Sequence, residues 1–127
     1  MKNFLKLIML SLFLPVGLMA NTINFYNGAA NGVGVTLICS STAYFSSSSA
    51  NVYAARGSTS GPTPVNVGEN VHCYAVTQGN DWGSLTQLTD NVAIGFENGQ
   101  ASVAYYGDGS SRNGVLRTCF NPDPLEC

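Results

Sequence analysis

Four cysteines, Cys39, Cys73, Cys119 and Cys127, restrict what this chain can fold into more than any other feature. All four follow an apolar leader, and an even number of cysteines in an exported segment reads as disulfides. Three pairings are possible. The segment after Cys119 holds Asn121-Pro122 and Asp123-Pro124, which are turn dipeptides. They favour a short closed loop, Cys119–Cys127, and leave Cys39 for Cys73. Each of those two lies in an apolar, strand-like run, so they could meet across a sheet or between sheets. Loop-closure entropy gives about 2.5 kcal/mol for the short bridge and about 4 kcal/mol for the long one.

The leader is residues 1–20. Lys2 and Lys6 precede an apolar run over 7–14, and Pro15 and Gly17 break it before Met19-Ala20. This pattern reads as a secretory signal peptide, too short for a membrane span of about 20 residues. Cleavage after Ala20 leaves one domain, residues 21–127, and no membrane span is expected after it. That segment contains no lysine. Arg56, Arg112 and Arg117 stand against seven carboxylates, a net charge of −4 with His72 neutral. Three cations cannot neutralise a run of phosphates, so no nucleic-acid partner is expected. Charged residues are 9% of the chain, against about 25% in ordinary soluble domains. Neutral polar residues fill the gap, which also argues against coiled coils and charged disordered tails.

The rest of the chain is strands punctuated by turns. Residues 22–27 (TINFYN) and 33–41 (VGVTLICSS) alternate at period two and read as a first hairpin. Residues 51–56, 70–77 and 115–120 read as strands, 65–67 as a short edge strand at most, and 57–64 as a loop. Ser84 with Gln87 fits a capping box, which allows a helical turn or two over 84–90. Residues 91–97 and 100–106 flank Asn98-Gly99, the sequence of a type I′ hairpin turn. In that register Phe96 faces Ala101, Ile94 faces Val103 and Val92 faces Tyr105. Seven or eight short strands predict an all-β fold, a small antiparallel β-sandwich or barrel stabilised by disulfides.

Motifs for chemistry are scarce. His72 is the one histidine, and a general base would need a nearby nucleophile and an orienting acid such as Asp81 or Asp90. There is no Cys-x-x-Cys and no His-Glu-x-x-His, so neither a metal nor a cofactor is expected. Residues 57–61 (GSTSG) place Thr59 where a nucleophile elbow needs serine. Aromatic residues are the better lead. Trp82 follows Asp81 in a polar turn, and Tyr105 and Tyr106 end a strand beside the loop 107–114. Such rings either cap a core or stack on the apolar face of a sugar, with Asn, Asp and Ser nearby for its hydroxyls. The expectation is a secreted, non-catalytic domain that binds a neutral ligand, a glycan, a cell-surface component or a protein, through Trp82, Asp81, Tyr105 and Tyr106. Two alternatives stand beside it: a small hydrolase using His72 with an aspartate, and an inhibitor or toxin-like effector using the loop from Cys119 to Cys127.

Overall fold

A computed structural model describes residues 21–41, 49–65, 70–78 and 84–127. The leader, residues 1–20, lies outside them. Nine strands are described: β1 Thr22–Ala29, β2 Val35–Ser40, β3 Ser49–Ala54, β4 Thr63–Pro64, β5 Val71–Gln78, β6 Leu85–Gln87, β7 Val92–Ile94, β8 Gln100–Gly107 and β9 Val115–Cys119. A single 3-10 turn, Pro124–Glu126, follows. One sheet has the order β4-β1-β8-β9, and the other runs β3-β2-β5-β6 with β7 also on β5. The sheets pack face to face as a sandwich and do not close into a barrel.

The core lies between them. Ile23, Phe25, Val103 and Tyr105 from the first sheet and Val35, Leu37, Val52 and Ala75 from the second are fully buried. Both sets recur at period two, so each sheet turns its apolar row inward and its polar row outward. Cys39 and Cys73 sit opposite each other on β2 and β5, with Cα atoms 4.1 Å apart, and are bridged. Cys119 and Cys127 are bridged as well. The long bridge thus joins neighbouring strands of one sheet.

The hairpin expected from residues 22–41 does not form. β1 lies in one sheet and β2 in the other. Their apolar rows face each other across the core, and the link between them is an arch. Its keystone is Asn27, fully buried. The Asn27 Nδ2 group donates to the carbonyls of Val33 (2.7 Å) and Ala54 (3.1 Å), and its Oδ1 accepts from the Ala29 N–H (3.0 Å). Backbone groups that a hairpin ladder would have paired are satisfied by one side chain. β1 pairs with β8 in parallel over eight residues, the one parallel pair among the described strands.

The Asn98-Gly99 turn forms, with φ of 52° and 75°. Glu97 and Gln100 exchange both backbone hydrogen bonds across it. The ladder stops there. β7 leaves to pair with Val71–Cys73 of β5, while β8 takes β1 and β9 as neighbours. The six apolar residues expected on one hairpin face still meet. Ile94, Ala101, Val103 and Tyr105 are buried in the core, and Val92 and Phe96 pack against it, from two sheets instead of one.

Residues 84–90 form no helical turn. Leu85–Gln87 pairs with Val76–Gln78, and the Leu88 N–H donates to the Ala75 carbonyl (2.8 Å). The free edge of β5 offers hydrogen-bond partners that a two-turn helix cannot match. The segment 57–64, expected to be a loop, carries the two-residue strand Thr63–Pro64, and residues 66 and 67 of the edge strand expected at 65–67 lie outside the described residues. The Val65 N–H anchors the two-residue strand to the Asn21 carbonyl (2.8 Å).

Candidate functional site

The outward rows of the four-stranded sheet differ along their length. At one end the C-terminal loop folds back over Asn24 and Ser102, and both are buried although they point away from the core. The Ser102 hydroxyl donates to the Asn121 carbonyl. Asp123 caps the terminal turn by accepting from the Leu125 N–H (3.0 Å), and the Cys119–Cys127 bridge holds the loop in place.

No described segment folds over the other end in this way. One row across the sheet reads Thr59, Tyr26, Ala104, Arg117, and the next reads Gly28, Tyr106, Val115. Tyr26 and Tyr106 are half-buried and Arg117 is exposed. The tyrosine rings lie 6.1 Å apart and tilted by 54°, within the range of attractive aromatic pairs. The Arg117 guanidinium carbon stands 5.4 Å from the centroid of Tyr106, close enough for a cation–π contact. Ala104 forms the floor and is fully covered. Gly28 leaves room for the Tyr106 ring, since a Cβ there would stand 2.8 Å from it. The result is a shallow platform of two rings and one cation on a small-residue base.

Of the expected site residues, Tyr106 is on this platform. Tyr105 is not. It is fully buried, and its hydroxyl accepts the Gly109 N–H (3.1 Å). Burial pushes its phenol up, the hydrogen bond to Gly109 pulls it down, and the charge of Asp108 raises it further. Neighbouring residues on a strand point to opposite faces, so one of the two tyrosines had to enter the core. Trp82 and Asp81 lie outside the described residues. Tyr26 and Arg117 were missed by the sequence reading. Period two put both on the polar side of their strands, but nothing local shows that β1 and β9 flank β8.

His72 lies on β5 opposite Ser40 and Ala93, half-exposed on the outer face of the second sheet. Among the described residues no hydrogen bond or ion pair joins it to a carboxylate, and Asp90 is engaged with Arg112 at 2.9 Å. Asp108 is held by its own turn. Its carboxylate accepts from the Ser110 and Ser111 N–H groups (2.8 and 3.1 Å) and from the Ser111 hydroxyl (2.9 Å). These bonds lower its pKa to about 2. Among the described residues no three metal-ligating side chains gather. No helix there is long and apolar enough to cross a membrane.

No family model matches the chain, and neither a curated protein nor a solved structure shows significant similarity to it.

Proposed function

We propose that the protein is a secreted, non-catalytic binding domain for a neutral ligand, and that the ligand is a glycan seated on Tyr26, Tyr106 and Arg117. The observation that carries this reading is the paired, partly exposed tyrosine rings standing beside Gly28 and Ala104 on the outer face of the sheet. A pyranose presents C–H groups on one face, which stack on aromatic rings, and hydroxyls at its rim. The Arg117 guanidinium offers several fixed N–H donors to such hydroxyls. A net charge of −4 over residues 21–127 disfavours polyanions and leaves neutral sugars as the better match. The two disulfides and the apolar leader with its basic start support an exported protein.

A glycan array followed by calorimetry tests the proposal. Tyr106→Ala is expected to weaken binding of the best glycan about tenfold, or ~1.4 kcal/mol, and Tyr26→Ala comparably. Arg117→Ala is expected to cost about 0.5–1 kcal/mol. Emission of Trp82, the one tryptophan, followed in the same titration, reports whether Asp81-Trp82 also meets the ligand. Unchanged affinity in both tyrosine variants would move the site off this face.

A further inference from the structure

The sheets end in edges of unequal kind. β4 closes one side with two residues, and its Pro64 has no N–H to offer. β9 closes the other side of that sheet, carries Arg117 and runs into the bridged C-terminal loop. In the second sheet β6 and β7 are three residues each. Short strands, prolines and charges are the usual means by which an edge is kept from pairing further. β3 has none of them. Its six residues, Ser49–Ala54, include no charge and no proline. They pair with β2 at every position without a bulge, and no described strand lies on the other side.

We propose that β3 pairs antiparallel with β3 of a second copy of this chain, about a two-fold axis. An antiparallel pair of identical strands is self-complementary, because each copy offers the same donors and acceptors to the other. Charge favours this occupant. Two copies with −4 each over residues 21–127 repel in general, so they meet most easily where charge is absent. β3 and the adjoining outward row of β2, Thr36, Ile38 and Ser40, are uncharged. The β9 edge instead carries Arg117, with Asp123 and Glu126 in the loop behind it. A charged peptide would find no countercharge on β3, whereas a second β3 needs none. Pairing also shields Tyr53, which is 61% exposed on this strand. A strand pair of this length buries less than the roughly 800 Å² per partner of a standard interface, so the association depends on concentration.

Sedimentation equilibrium of the oxidised protein over a concentration series is the test. The expected mass rises toward twice that of one chain. Asn51→Lys combined with Tyr53→Lys sets like charges against each other across the axis and abolishes the rise. Thr118→Lys on β9 leaves it intact. Should the double variant not fold, hydrogen exchange of the unaltered protein decides. Protection of the backbone amides of residues 49–54 that grows with concentration supports the pairing. A single-chain mass at all concentrations, a dimer indifferent to the lysines, or exchange at 49–54 independent of concentration overturns it.

Discussion

Asn27-Gly28 and Asn98-Gly99 are the same dipeptide in two settings, and they do opposite things. At Asn98-Gly99 the chain reverses within two residues. Both take positive φ, the Asn98 side chain is exposed, and the backbone of Glu97 and Gln100 closes the turn. At Asn27-Gly28 the chain does not reverse. The pair continues β1 alongside Tyr105 and Tyr106. There the asparagine serves as a buried hydrogen-bonding staple, and the glycine makes room for a ring. A turn dipeptide is therefore local at one site and tertiary at the other. The difference lies in burial, which the dipeptide itself does not encode.

Removing the staple should have the largest effect. Asn27→Ala leaves the carbonyls of Val33 and Ala54 and the N–H of Ala29 without their partner, and opens a small cavity. Unsatisfied buried groups cost about 1–3 kcal/mol each, and relaxation recovers part of that. The expected loss is about 3 kcal/mol in a urea or thermal unfolding experiment. The matching change at the exposed turn, Asn98→Ala, should cost about 1 kcal/mol, the penalty of a left-handed alanine. Equal losses would mean that Asn27 is no keystone.

The glycines sharpen the same contrast. At Gly28 a Cβ would stand 2.6 Å from the Tyr105 carbonyl oxygen and 2.8 Å from the Tyr106 ring. Backbone cannot yield as a flexible side chain does, so Gly28→Ala should cost about 2 kcal/mol. It should also weaken the glycan binding we propose for this face, because the displaced ring is half of the platform. Gly99→Ala meets nothing closer than 3.8 Å, and only its φ of 75° opposes it. About 1 kcal/mol is expected there, with binding unchanged. Calorimetry on both variants separates crowding from dihedral strain.

How much was legible in the sequence follows from the same distinction. The strand identity of residues 70–77 and 115–120, the Asn98-Gly99 turn and the favoured cysteine pairing depend on neighbours a few residues apart or on period two. All of them appear in the structure. Sheet membership does not depend on such neighbours. Alternation assigns each residue of β1 to a face, but it does not say that Tyr26 will lie beside Ala104 and one strand from Arg117. The platform is for that reason a product of long-range pairing. Of its three side chains only Tyr106 was singled out, as an aromatic residue at a strand end. The helical turn expected at 84–90 failed in the same way, because its competitor was the distant edge of β5 and not its own sequence.

A third turn gives the smallest effect and tests the local extreme. Asp108 binds only groups two and three residues ahead of it, and its carboxylate is fully solvent-exposed. The Ser110 and Ser111 N–H bonds, with the Ser111 hydroxyl, lower its pKa from the ordinary 3.8 to about 2. A depressed carboxylate binds its proton more weakly in the folded chain than in the unfolded one. Its contribution to stability is thus present above pH 4 and is lost as the pH falls from about 4 to about 2. The carboxyl carbon resonance of Asp108 should titrate near 2. Asp108→Asn should flatten the pH dependence of stability over that interval and, at neutral pH, lose the stability that the charged carboxylate supplies there. A midpoint near 3.8 would show that this turn does not hold its carboxylate. Unlike Asn27, Asp108 would then be orientation without energy, and only buried side chains would bind this fold's backbone in a measurable way.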